Sequence, residues 1–327
     1  MMLPIIFKVV TTPGEQRIVM VAWRRLSRRS QLLSEALGAE LLFFPDRIPY
    51  LRAAFKTMRA VSKAKPDILI VQLPQGPLLL EALVLKLFRR FKLVADVHTG
   101  FLMRWEWKSL LLNTPFKRFL GRCDVVAIHN EKMREILPKG AQQKALVVYD
   151  PWYMIEPVAG SIREQYIMFP ASYHPDEPLD EVLEVAKELC PDVRVKITGN
   201  WKRRPEVKRH ESERIVFTGY LTNEEYDVLF ANASGIISGT KEEYTALMSA
   251  WEAIAYSKPL AITDSQALRE SYGDYPIYYS WNDKGSIANA INRLLESTPD
   301  PLARARLKDR TAARLKALAS AIAQHHA

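Results

Sequence analysis

Apolar residues fall along the chain in two alternating rhythms. Short unbroken runs such as DILIVQLP (67–74), CDVVAIHN (123–130) and LAIT (260–263) are bounded by charged residues, Pro or Asn, the pattern of strands buried on both faces. Between the runs, apolar positions recur every three or four residues, the spacing of a helix with one buried side. Read in order, the pattern predicts strands at 17–23, 39–45, 67–74, 91–98, 123–130 and 145–151. Helices are predicted between them at 27–38, 50–63, 78–90, 105–120 and 131–137. Pro66 stops the second helix and Asn130 is placed to cap the last. A second set follows the linker 151–164, with strands at 166–170, 193–199, 214–220, 235–239, 260–263 and 276–280. Its helices are expected at 176–189, 222–233, 244–256, 284–296 and 301–322, with Asp176 capping the first and Thr222 with Glu225 forming a capping box on the second.

This strand-then-helix alternation predicts an α/β protein of two Rossmann-like domains facing a cleft. The first is expected over 1–150 and the second over 151–327, the last helix packing back on the first domain. Ligands of such sheets bind beyond the carboxyl ends of the strands. No G-x-G-x-x-G follows a candidate first strand, which argues against a dinucleotide enzyme.

Composition narrows the class. Hydrophobic residues make up 48% of 327, enough for large cores. Cys123 and Cys190 stand far apart, which speaks against a disulfide framework or a cysteine-rich zinc site and for a reducing compartment. Leu78 to Phe88 is apolar but too short to span a bilayer as a helix, and MMLPIIFKVV lacks a cleavage pattern after it. Residues 1–150 hold 25 Lys and Arg against 12 Asp and Glu, a balance of +13, whereas the remainder comes to −4. The first half is therefore expected to meet something anionic. Nucleic acid is not the expected partner, because no zinc finger, RNP-like stretch or basic heptad is present.

The segment KEEYTALMSAWEAIAYSKPLAIT (241–263) carries the sharpest chemical signal. A helix starting near Tyr244 or Thr245, just past a strand end, would offer free backbone N–H groups to a phosphate. Thr245, Ser249 and Glu252 follow at three- and four-residue spacing on one face. Thr245 can donate to a phosphate, and Glu252 can accept bonds from two ribose hydroxyls. The competing reading is a structural Glu252 bound to a neighbouring amide or Lys.

Glu252-Ala253-Ile254-Ala255-Tyr256-Ser257-Lys258-Pro259 followed by LAIT resembles the nucleotide-sugar site of glycosyltransferases with the GT-B fold, especially the large retaining family that extends polysaccharides and glycolipids. The resemblance implies that Glu252 holds the donor ribose. The family's first Glu, eight positions earlier, falls on Tyr244 here, so Glu243 or Glu242 would have to hold the sugar hydroxyls from the loop. KITGN (196–200) resembles the strand whose loop faces the donor diphosphate, which implies Asn200, Lys202, Arg203 and Arg204 as its ligands without a metal or cofactor. VFTGY (216–220) resembles the strand beside the base. DVHTG (96–100) ends a first-domain strand, where the family places a polar residue near the reacting sugar; His98 takes that place, with His129 and His174 as weaker candidates.

The implied activity is hexosyl transfer from a nucleotide-diphosphate sugar to a lipid-linked or growing polysaccharide acceptor, in envelope or exopolysaccharide synthesis. Arg24, Arg25, Arg28 and Arg29 in WRRLSRR suit the pyrophosphate of such an acceptor, or phospholipid. The stretch 101–120, with Trp105 and Trp107, and the stretch 78–92, with Arg89, Arg90 and Lys92, suit an anionic membrane surface. The expected location is the cytoplasm, at the inner face of the cell membrane. The alternatives are a degenerate GT-B protein that binds without catalysis, and a sugar-nucleotide epimerase.

Overall fold

The computed structural model describes residues 6–7, 16–103, 112–160, 164–188, 190 and 192–323. The chain divides into two compact units, Met1–Pro151 with Arg310–Ala327, and Trp152–Asp309. Among the described residues no helix is long and apolar enough to cross a membrane. Cys123 and Cys190 are free and buried. Both units have the expected doubly wound α/β architecture.

The first unit holds a sheet in the order β1-β3-β2-β4-β5-β6-β7. The strands are β1 (Ile6–Phe7), β2 (Ile18–Trp23), β3 (Glu40–Phe44), β4 (Ile68–Leu73), β5 (Lys92–Val97), β6 (Val125–Ile128) and β7 (Ala145–Val147). β1 is an antiparallel edge on β3, and the other pairings are parallel. All six residues of β4 are buried, as its unbroken apolar run requires of a strand covered on both faces. Helix α1 (Arg28–Ala36) is capped by the Ser27 hydroxyl, which accepts from Ser30 N. Helices α2 (Leu51–Ala64) and α3 (Gly76–Phe88) follow β3 and β4. Strand alternation puts Met20 and Trp23 on opposite faces. Met20 packs with Leu33 of α1 and with Leu318 and Ile322 near the C-terminus, whereas Trp23 donates its indole N–H to Thr57 of α2 at 2.9 Å. α2 and α3 lie side by side. The 131–137 helix is a 3₁₀ segment, Glu131–Ile136, which ends just ahead of Pro138 and is capped by Asn130 accepting from Met133 N. Trp105 and Trp107 lie outside the described residues, and a 3₁₀ segment covers Thr114–Arg122.

The second unit holds an all-parallel sheet in the order β10-β9-β8-β11-β12-β13. Its strands are β8 (Ile167–Pro170), β9 (Val195–Thr198), β10 (Ile215–Gly219), β11 (Gly235–Ile237), β12 (Leu260–Thr263) and β13 (Ile277–Tyr279). The helices are α4 (Leu179–Glu188), α5 (Asn223–Asn232), α6 (Met248–Ala255), α7 (Gln266–Tyr272), α8 (Lys284–Glu296) and α9 (Pro301–Ala323), the last shared with the first unit from Arg310 on. The capping box is present on α5, with Thr222 and Glu225 bonded reciprocally.

Three expectations are corrected here. α4 begins at Leu179, after Pro178, so Asp176 is not its cap; the Asp176 carboxylate instead accepts from the Thr240 hydroxyl at 2.6 Å and meets His174. α6 begins at Met248, four residues later than the apolar pattern suggests. The cause is Tyr272, whose hydroxyl accepts from Leu247 N at 2.9 Å and donates to Leu247 O at 2.7 Å, so Leu247 is held extended. α7 was not expected from the sequence; its seven residues are too few for a clear period, although Ser265 caps it and Gly273 closes it at φ 56°.

Candidate functional site

The carboxyl edge of the second sheet gathers most of the predicted residues. β9 ends in a turn at Gly199, where φ is 92° and an added Cβ would stand 2.1 Å from the Ala171 carbonyl oxygen. Only glycine lets this turn close against the loop after β8. That loop is fastened by Glu177, whose carboxylate accepts from Ser172 N and Tyr173 N, each at 2.8 Å. Burial, opposed by those bonds, moves the Glu177 carboxyl up from its ordinary value.

Asn200 caps the next turn by accepting from Lys202 N at 3.2 Å. The three basic residues after it differ in availability. Arg203 donates to Ser172 O at 2.9 Å and is exposed. Arg204 is held by Asp180 and Glu206, so an incoming phosphate would compete with two carboxylates. Lys202 is exposed with no ion-pair partner among the described residues.

The loop after β11 is tied down by Thr240, which accepts no helix role but exchanges bonds with Thr263 at the end of β12 at 3.0 and 2.9 Å. Glu242 donates its N–H to the Thr240 hydroxyl at 3.1 Å. Glu243 turns to α7, where its carboxylate accepts from Ala267 N at 3.4 Å. Thr245 therefore sits three residues ahead of α6 rather than in its first turn, and its buried hydroxyl has no hydrogen-bond partner. Ser249 pairs with Ser238 at 2.9 Å. The structure so brings Ser238, Thr240, Ser249 and Thr263 to one strand edge, all small hydroxyl side chains.

Glu252 lies one turn deeper in α6 and is 6% exposed. Tyr226 of α5 donates its hydroxyl to Glu252 Oε2 at 2.7 Å. An ionised carboxylate buried here needs such a donor. Phe230 and Tyr256 continue the aromatic contact beside Tyr226. Tyr226 is a site residue that sequence reasoning missed: it lies one residue past the capping box, and only the packing of α5 on α6 sets it against Glu252.

The first unit holds a separate buried cluster at the ends of β5, β6 and β7. Asp96, fully buried, accepts from Arg29 Nε at 3.0 Å and faces His98 Nε2 at 3.2 Å. Arg29 also binds Asp150 and donates to Val148 O at 2.8 Å. Arg29 is thereby removed from the predicted basic patch, whereas Arg24 and Arg25 stay exposed. The reason is electrostatic: two buried carboxylates need a cation. Burial pushes the Asp96 carboxyl up, but Arg29 and the His98 bond outweigh it and hold it well below the usual range. His98 and His129 meet edge to face at 5.0 Å. Burial, then the charges of Arg29 and His98, hold His129 well below its ordinary value, and its buried Nε2 has no hydrogen-bond partner. Asp96, His98 and His129 have the donor set of a cation site, with ligand atoms within 4.8 Å of one another, but Arg29 already neutralises Asp96.

Residues 164–297 match the family of glycosyl transferases group 1. The match lies within the second unit and covers less than half of the chain. The match contains the Gly199 turn, the hydroxyl-lined strand edge, Tyr226 and Glu252. No curated protein matches in sequence. Among solved structures, this glycosyltransferase is similar to HepE of Anabaena in complex with UDP and glucose, at 12% identity and TM-score 0.64 over 94% of this chain and 95% of that one. It is similar to sucrose-phosphate synthase of Thermosynechococcus elongatus, at 14% identity and TM-score 0.66 over 93% and 95%. It is also similar to the lipopolysaccharide outer core galactosyltransferase WaaB, at 12% identity and TM-score 0.58 over 93% and 99%. At these identities the likeness establishes the fold, which is GT-B.

Proposed function

We propose that this glycosyltransferase moves a hexosyl group from a nucleoside-diphosphate sugar to a lipid-linked or growing polysaccharide acceptor in envelope or exopolysaccharide synthesis, with retention and without a metal. The observation that carries the reading is the group 1 match over the unit that sets Glu252 behind a hydroxyl-lined strand edge. Neighbours of the same fold support the substrate class: HepE is described with UDP-glucose, and WaaB as acting on lipopolysaccharide outer core.

In this reading Glu252 accepts the ribose hydroxyls, exchanging part of its bond to Tyr226 for them. The unpartnered Thr245 hydroxyl and Ser249 donate to the diphosphate. Lys202 and Arg203 follow the departing phosphate charge with Asn200 shaping the turn, while Arg204 contributes through its field. Fixed cations near the leaving group stabilise the charge that develops there. Glu242 or Glu243 holds sugar hydroxyls, and His98, held by Asp96, offers a polar contact to the sugar. The acceptor belongs to the first unit, near exposed Arg24 and Arg25, on the inner face of the membrane.

A second reading, a non-catalytic binding protein, is favoured by the Tyr226–Glu252 bond, which already satisfies Glu252, and by Glu243 turned to α7. Calorimetry with nucleoside diphosphates and nucleotide sugars separates the two. Transfer predicts that one donor binds wild type and that Glu252→Ala weakens it at least about tenfold, the loss of a charge-assisted pair of hydrogen bonds. Tyr226→Phe should keep that binding, because it removes a competitor for Glu252. A folded wild type that binds no donor at millimolar ligand refutes the transfer reading.

A further inference from the structure

Helix α2 carries three stripes. Ala53, Thr57, Val61 and Ala64 face the sheet. Leu51, Phe55 and Met58, at positions i, i+4 and i+7, point to solvent, Leu51 at 74% and Phe55 at 61% exposure. Arg52, Lys56, Arg59 and Lys63 form the third stripe at the same spacing, beside the apolar one. On α3, which lies against α2, Leu80, Val84, Leu87 and Phe88 are exposed as well, the last two at 81%. Scattered exposed apolar residues are ordinary, but two adjoining stripes on neighbouring helices form a patch.

The charge around the patch is predominantly basic, with Lys56 paired to Asp46 and Lys86 to Asp124. α2 contains no acidic residue, and Glu81, the one acid of α3, has both carboxylate oxygens buried. Arg52, Arg59, Lys63, Arg89 and Arg90 have no ion-pair partner among the described residues. A second copy docking here about a two-fold axis would set basic stripe against basic stripe, which opposes a dimer. An anionic lipid surface satisfies both features at once, because apolar side chains enter the acyl boundary while Lys and Arg reach the headgroups.

We propose that the α2–α3 face of the first unit docks the protein on an anionic lipid surface, with Leu51, Phe55, Leu87 and Phe88 as inserting groups. This rests on, and sharpens, the membrane-side acceptor of the proposed function. It adds α2, which the sequence reading did not single out, to the 78–92 stretch that it did.

The test is flotation of the full chain with vesicles of phosphatidylcholine alone and of phosphatidylcholine with phosphatidylglycerol, at low and high salt. Wild type, Phe55→Ser/Leu87→Ser and Arg52→Gln/Arg59→Gln are compared, with circular dichroism to confirm folding. Wild type should float only with phosphatidylglycerol and lose binding in high salt. The apolar double variant should lose binding, and the basic one should weaken about fivefold per charge removed. Three results overturn the proposal: no flotation of wild type with phosphatidylglycerol, equal flotation of folded variants, or self-association of wild type that both variants abolish without any flotation. Donor binding measured on the same samples separates this inference from the transfer reading. Flotation without donor binding sinks the latter, and donor binding without flotation sinks the former.

Discussion

Replacing Arg29 by Met tests whether the first sheet depends on one buried cation. The Arg29 side chain is 3% exposed and joins α1 to the ends of β5 and β7 through Asp96, Asp150 and Val148 O. Methionine keeps much of the apolar stem but strands two buried carboxylates. Removing one partner of a buried ion pair costs about 3–5 kcal/mol. At a urea slope of about 2 kcal/mol/M, the unfolding midpoint of the first unit should fall by about 1.5–2.5 M. The pH dependence should change sign. In wild type the Asp96 carboxyl lies well below its unfolded value of about 4. Its contribution is therefore present above that unfolded value and is lost as pH falls towards the folded one. In Arg29→Met, burial, the largest influence on Asp96, is opposed only by the bond to His98 and the neighbouring imidazoles, and the Asp96 pKa should rise above the unfolded value. The variant should then regain stability as pH drops from about 7 to about 5, because the folded state takes up the proton first. Equilibrium urea unfolding at the two pH values reads both effects, and Arg29→Met/Asp96→Asn should recover part of the loss through coupling of about 1–3 kcal/mol. A midpoint within about 0.3 M of wild type, or a deficit equal at both pH values, would refute the reasoning.

Two further outcomes follow from other sites. Burial pushes the Glu81 carboxyl up to about 8, so stability should decline as pH rises from the unfolded value of about 4.3 through about 8, and Glu81→Gln should flatten that slope in thermal melts; an unchanged slope would sink this account. Gly199→Ala should destabilise the second unit by at least about 2 kcal/mol, because it forces φ 92° on a Cβ that meets the Ala171 carbonyl oxygen, which a drop in urea midpoint would register and an unchanged midpoint would contradict.

The parts of the site legible in the sequence are those written in short-range pattern. Glu252 and Ser249 were placed by helical spacing, and the turn at Gly199 and Asn200 by the end of an apolar run. The residues that give those groups their environment were not legible. Tyr226 lies 26 residues before Glu252, and no local spacing marks it as the donor. Arg29 looked like one of four surface arginines, yet it pairs with Asp96 and Asp150 across 67 and 121 residues. The start of α6 was misplaced because Tyr272, 25 residues further on, holds Leu247 out of the helix.

By itself the sequence determined the two α/β units, because apolar runs and helical periods record which faces each element must bury, and the capping box at Thr222 and the cap at Asn130 record local hydrogen bonds. Tertiary structure alone decided which polar groups are paired and which stay open. Pairing depends on the distance between atoms brought together by chain crossovers, and a buried charge settles on whichever partner the packed strands and helices place within reach.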